Sequence, residues 1–85
     1  MKVLYFAALR QAVGVAEETL APPAEVATVG QLIEWLKGRS PRHAEAFAKL
    51  DLVRCAVNQD YARLEDPVRA GDEVAFFPPV TGGGA

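Results

Sequence analysis

Two prolines, Pro78-Pro79, stand directly behind the apolar run Val74-Ala75-Phe76-Phe77. A proline has no amide proton to give a sheet ladder and locks its own φ, so a strand that reaches Phe77 ends there. The chain then leaves as a stiff extended segment, and proline holds the preceding Phe77 extended as well. Val80-Thr81-Gly82-Gly83-Gly84-Ala85 follow. Glycines carry no side chain and can enter a channel too narrow for other residues. Eighty-five residues leave room for one domain with one modest core. The chain therefore divides into a folded body, residues 1–80, and a Gly-rich tail, residues 81–85. A hydrophobic share of 51% supports a folded body over a disordered one.

Charge and cysteine content exclude several classes. The formal net charge is -2 with both signs interspersed, so no basic stripe is available for nucleic acid. The longest apolar run is too short for a bilayer, and no membrane partner is expected. The run from Val3 to Leu9 stops at Arg10-Gln11 without a small-residue cleavage pattern. It reads as a strand, not a secretory leader, and a cytoplasmic location is expected. Cys55 and His43 are the only residues of their kinds, so neither an intramolecular disulfide nor a metal-ligand cluster is expected, and no bound cofactor.

Taken in order, residues 2–7 alternate as a first strand, with Val3 and Tyr5 on one face and Leu4 and Phe6 on the other. Residues 8–13 suit a short helical turn ended by Gly14. Residues 17–21 suit a second strand, paired with the first as a hairpin and closed by Pro22-Pro23. Thr28-Val29-Gly30-Gln31 has the spacing of a capping box. It opens a helix whose stripe is Val29, Leu32, Ile33 and Leu36, with Trp35 at the edge and Lys37, Gly38 and Arg39 at the end. Ser40-Pro41 pairs an N-cap with proline at the first helical position. It predicts a second helix over residues 41–50 that buries Ala44, Phe47 and Ala48. Residues 52–58 form a strand, Asn58-Gln59-Asp60 a turn, residues 61–64 a short returning strand, Ala70-Gly71-Asp72 a turn, and residues 73–77 the last strand. The fold class is α+β, a mixed sheet with one helix-covered face. If Val3, Tyr5, Val74 and Phe76 face the helix, then Phe6 and Phe77 face outward, joined by Tyr61. Scattered exposed aromatics need no explanation. Phe77 leads straight into the tail, which favours a docking surface.

The remaining polar residues read blandly. Cys55, on a Val-Cys-Val face, is a buried structural thiol. His43 is a surface histidine, Trp35 core packing, and Glu17-Glu18 a solvated strand edge. Arg10 either pairs with an acidic partner surface or is simply solvated. A glycine carboxylate at the end of the tail is inert until adenylation makes it a mixed anhydride that a sulfur or amine nucleophile can attack.

Glu73-Val74-Ala75-Phe76-Phe77-Pro78-Pro79-Val80-Thr81-Gly82-Gly83 resembles the C-terminal signature of the molybdopterin synthase small subunits, the sulfur carriers of molybdenum cofactor biosynthesis. Val3-Leu4-Tyr5-Phe6-Ala7 with Arg10, Ala56-Val57-Asn58 and Gly71-Asp72 resemble that family too. The resemblance implies a ubiquitin-like β-grasp fold and a carrier that is not an enzyme alone. An E1-like adenylyltransferase would activate the terminal glycine with ATP and magnesium, and sulfur would be installed as a thiocarboxylate. The tail would then enter the large synthase subunit, in a heterotetramer, and pass sulfur to cyclic pyranopterin monophosphate. By motif position Gly83 is the thiocarboxylated residue and Gly82 its narrow neighbour. Phe6, Arg10, Tyr61, Phe77, Pro78, Pro79, Val80 and Thr81 fall to the partner contact; no residue falls to a metal.

Gly84-Ala85 departs from the family pattern, in which the chain ends at the second glycine. Three readings follow: a protease trims both residues, only Ala85 is removed and Gly84 is the acceptor, or the protein carries no sulfur. Trimming to Gly83 is the reading adopted. A thiamine-pathway sulfur carrier, a ubiquitin-like protein modifier and a plain β-grasp interaction module are the alternatives. The Phe-Phe-Pro-Pro-Val run and the helix after Ser40 count against the thiamine-pathway carrier.

Overall fold

Alternation of apolar and polar side chains builds a five-stranded sheet. In chain order its strands are β1 (Lys2–Tyr5), β2 (Glu17–Thr19), β3 (Arg54–Val57), β4 (Asp60–Ala62) and β5 (Glu73–Phe77). The structure is a computed structural model that describes residues 1–79. Val80, Thr81, Gly82 and Gly83, and the boundary expected after residue 80, lie outside the described residues. Strand order is β2-β1-β5-β3-β4. β1 and β5 run parallel at the centre, while β2 pairs with β1, and β3 with both β4 and β5, antiparallel. This is the expected α+β, β-grasp arrangement: the N-terminal hairpin and the last strand share one mixed sheet.

Three helices lie between the strands in the chain: α1 (Ala7–Val13) after β1, then α2 (Val29–Lys37) and α3 (Pro41–Ala46) between β2 and β3. Val3, Tyr5, Val74 and Phe76 line the inner face and are each no more than 1% exposed. They pack into one core with Val29, Leu32, Ile33 and Leu36 of α2, the stripe expected from the helical spacing. Phe47 enters the same core with its ring edge-on to Phe76, centroids 4.9 Å apart. Trp35 is half-buried at the margin, with the Arg39 guanidinium 5.1 Å over its ring.

The start of α2 is held twice. Its capping box is formed: the Gln31 amide donates to Thr28 Oγ1 at 3.2 Å, and Gln31 Oε1 accepts from the Thr28 amide at 3.1 Å. The next amides, Val29 and Gly30, donate to the carbonyls of Asp66 and Leu64 at 2.9 and 2.8 Å. Those are first-turn groups that no helix can satisfy internally. Gly30 allows this close approach, since a Cβ there would lie 3.3 Å from the Leu64 carbonyl oxygen.

Several boundaries differ from the sequence expectation. The first strand stops at Tyr5, and α1 begins at Ala7, two turns long where one was expected. Gly14 ends it in the left-handed region, at φ 98°. β2 is three residues long, and β4 ends at Ala62. α3 stops at Ala46, not residue 50, and a 3₁₀ turn, Leu50–Leu52, leads into β3 at Arg54. The reason is tertiary: once Phe47 is inserted under the sheet, the chain must leave the helix layer to reach the strand beside β5. Of the three residues expected to be buried on this helix, Phe47 is buried, Ala44 half-buried and Ala48 exposed.

The clearest correction concerns His43, which is 7% exposed and not a surface histidine. Its Nε2 donates to Glu18 Oε1 at 2.9 Å, and its Nδ1 lies 2.7 Å from Ser40 Oγ. A carboxylate only accepts, so Nε2 carries a proton, while Nδ1 is satisfied by the Ser40 hydroxyl. Glu18, expected at a solvated edge, instead lies on the inner face and also accepts from the Tyr5 hydroxyl at 2.8 Å. The network ties edge strand β2 to α3 across 25 residues of sequence.

Candidate functional site

The outer face of the sheet is built by the register of its three central strands. Leu4 pairs with Ala75, and Arg54 with Phe77. Tyr61 pairs with Ala56, which pairs in turn with Ala75. Because side chains alternate, Leu4, Ala75, Phe77, Ala56 and Tyr61 share this face. The Phe6 amide donates to the Phe76 carbonyl at 3.1 Å, which extends the β1–β5 ladder by one bond and sets Phe6 beside the end of β5. Ala7 then takes φ 54°, a left-handed conformation uncommon for a residue with a Cβ, and turns the chain sharply into α1. That turn leaves Phe6 48% exposed.

Of the three aromatic residues expected to group on this face, two are brought together, Tyr61 and Phe77. Tyr61, 83% exposed, lies with its ring centroid 6.0 Å from that of half-buried Phe77. Arg10 is exposed, but one turn along α1 and not on the sheet face. Pro78 and Pro79 are half-buried. They line a cavity of about 580 Å³ together with Ala8, Leu9 and Ala12 of α1 and with Ala46, Lys49 and Leu52 beyond. This apolar hollow was not anticipated. Its one local signal was the pair Ala8 and Ala12, four residues apart on one helix face, where the absence of bulk leaves space.

Two turns that support the site are clasped together. Asn58 and Gln59, between β3 and β4, both have positive φ, 51° and 74°, as a two-residue hairpin turn requires. Asn58 Nδ2 donates to Asp72 Oδ1, and Asn58 Oδ1 accepts from the Glu73 amide, each at 3.0 Å. The base of β5 is thereby fixed to the β3–β4 hairpin that carries Tyr61.

The thiol takes no part in this surface. Cys55 is buried, as expected, and burial first, with Asp66 second, pushes its pKa up to about 12. The Ser40, His43 and Glu18 contacts bring a hydroxyl, an imidazole and a carboxylate together, but as a structural clasp. Ser40 Oγ is engaged as the N-cap of α3, accepting from the His43 amide at 3.2 Å. Burial drives the Tyr5 phenol upward, and its hydrogen bond to Glu18 adds to this, so Tyr5 stays a donor. Among the described residues no three His, Cys, Asp or Glu side chains come together as a metal site, and no helix is long and apolar enough to cross a membrane.

Residues 3–83 match the ThiS family. The chain belongs to that family. It is 43% identical over 83 residues to the molybdopterin synthase sulfur carrier subunit of Escherichia coli strain K12, covering 98% of this chain and 99% of that one. A molybdopterin converting factor subunit 1 described as putative, from Pyrococcus furiosus, has a structure that matches with TM-score 0.75 and 40% identity over 93% of this chain and 95% of that one. SAMP1 from Haloferax volcanii matches with TM-score 0.75 and 30% identity over 98% of each. The resemblance carried by the tail and by the three short internal motifs thus extends along nearly the whole chain. The family match ends at Gly83 and leaves Gly84-Ala85 beyond it.

Proposed function

We propose that this chain is the sulfur carrier subunit of a molybdopterin synthase. The observation that carries the reading is the 43% identity to a carrier of that name over nearly the full length of both chains. In this reading Gly84-Ala85 is removed by a protease, because the Gly83 carbonyl is otherwise tied up in a peptide bond. An E1-like adenylyltransferase then joins the Gly83 carboxylate to AMP at the expense of ATP and magnesium, which that partner binds. A sulfur nucleophile displaces AMP and leaves a thiocarboxylate. The tail delivers it, with Gly82 as its thin neighbour, into the large subunit of a heterotetramer, where sulfur passes to cyclic pyranopterin monophosphate.

The geometry supports a docking role for the outer face. Phe6, Tyr61 and Phe77 present aromatic surface where β5 ends, and Pro78 and Pro79 stiffen the departure towards Val80 and Thr81. In this reading Arg10, exposed on α1, pairs with an acidic group of the partner. Intact mass spectrometry of protein from its own cells tests the proposal. Loss of Gly84-Ala85 with exchange of one oxygen for sulfur is expected. A full-length, unmodified chain in cells actively making molybdopterin overturns it. A second reading, a protein modifier whose activated glycine joins a lysine, is favoured by the likeness to SAMP1, a small archaeal modifier protein. Isopeptide-linked products in cell extract would distinguish it.

A further inference from the structure

Nothing in its sequence spacing marks Arg54, yet the fold sets it beside the aromatic pair of the outer face. Arg54 opens β3 as the register partner of Phe77. The two side chains therefore leave the sheet on the same side, at the end where β5 stops. The other residues that share this stretch of the face, Leu4, Ala56, Ala75 and Tyr61, carry no charge. Arg54 is exposed and, among the described residues, makes no ion pair within 4 Å. An exposed arginine is ordinary by itself. What distinguishes Arg54 is how its guanidinium is held.

Nη1 donates to the backbone carbonyls of Asp51 and Val53, at 3.1 and 3.2 Å. Asp51 lies in the 3₁₀ turn and Val53 directly after it, so the turn that leads into β3 also orients the guanidinium. Nε and Nη2 have no acceptor among the described residues. Together they form the edge whose two parallel N–H groups match a carboxylate. A guanidinium already oriented by two carbonyls loses less rotamer freedom when such a group docks. A partner that covers Phe77 and Tyr61 also excludes water from Arg54, which raises the cost of leaving the charge unpaired.

We propose that Arg54 is the polar anchor of the outer face, and that the large subunit meets it with a carboxylate. That carboxylate belongs to an aspartate or glutamate flanked by the apolar side chains that cover Phe77 and Tyr61. The inference rests on the reading of the outer face as the docking surface for that subunit. In this arrangement the aromatic residues supply contact area and Arg54 supplies selection. An apolar surface that lacks the acid buries an unpaired guanidinium and is rejected, whereas one that carries it satisfies the free Nε and Nη2 edge.

The test measures association of the full chain with the molybdopterin synthase large subunit of the same organism by calorimetry. Arg54→Leu is expected to weaken it about tenfold while leaving the thermal unfolding midpoint nearly unchanged. Arg54→Lys keeps the charge without the fork and is expected to recover less than half of that loss. Arg69→Leu removes the same charge beyond the opposite end of β5 and is expected to change affinity less than about twofold. Unchanged affinity of Arg54→Leu, or full recovery by Arg54→Lys, overturns the proposal. Tyr61→Ala/Phe77→Ala, measured alongside, separates this inference from the reading beneath it. If that variant binds weakly and Arg54→Leu binds normally, only the anchor falls; if both bind normally, the outer face falls with it. No association of the unaltered chain overturns both.

Discussion

The two faces of the sheet share the same strands and differ in everything that follows from burial. On the inner face Tyr5 and Phe76 are almost wholly enclosed, with ring centroids 6.4 Å apart and Phe47 against both. On the outer face, one residue further along β5, Phe77 touches Tyr61, and Tyr61 keeps 83% of its surface in solvent. Aromatic residues alternate across β5 with no difference in side-chain chemistry between Phe76 and Phe77. What separates them is which side the helices cover. Aromatic surface that already has a partner holds the domain together, and aromatic surface that has none is available to another molecule.

The comparison breaks first at Phe76. Truncating it to alanine removes a fully buried ring from the centre of the core, and a loss of about 3–5 kcal/mol in unfolding free energy by denaturant titration is expected. If Phe77→Ala cost as much, the division between the faces would be wrong. The double variant Tyr61→Ala/Phe77→Ala is expected to lose only about 1 kcal/mol of stability, while weakening association with the proposed partner, a molybdopterin synthase large subunit, by about tenfold or more in calorimetry. Unchanged affinity in that variant would remove the outer face from the proposed interface.

The smallest effect lies at the edge of the inner face. Burial tends to raise the Glu18 pKa, but the hydrogen bonds from His43 and Tyr5, with the charges of His43 and Arg39, outweigh it and leave the carboxyl below its ordinary value. A carboxyl depressed in the folded state adds stability above its unfolded pKa and loses it as pH falls through the folded one. Glu18→Gln is therefore expected to flatten the acid limb of the stability profile below about pH 4.5, the ordinary range of a glutamate. An identical acid limb in both proteins would show that the Tyr5–Glu18–His43 contacts contribute nothing to the pH dependence.

What the sequence determined by itself was whatever depends on near neighbours. The capping box of Thr28 and Gln31, the α2 stripe, the proline stop after Phe77 and the inward pair Val74 and Phe76 are all local patterns, and each stands in the structure as expected. Periodicity and missing amide protons act over a few residues, so they can be read from a line of letters. Only the tertiary structure decided the rest. His43 is buried with its polar edge satisfied because Glu18, 25 residues away, accepts its hydrogen bond, and α3 stops short because Phe47 has to reach Phe76. Asn58 anchors β5 because Asp72 lies across a turn, and Pro78 and Pro79 line a hollow with Ala8 and Ala12 only because the fold sets the end of β5 beside α1. Each of these is a partnership between distant segments, and chain folding, not sequence spacing, sets who the partner is.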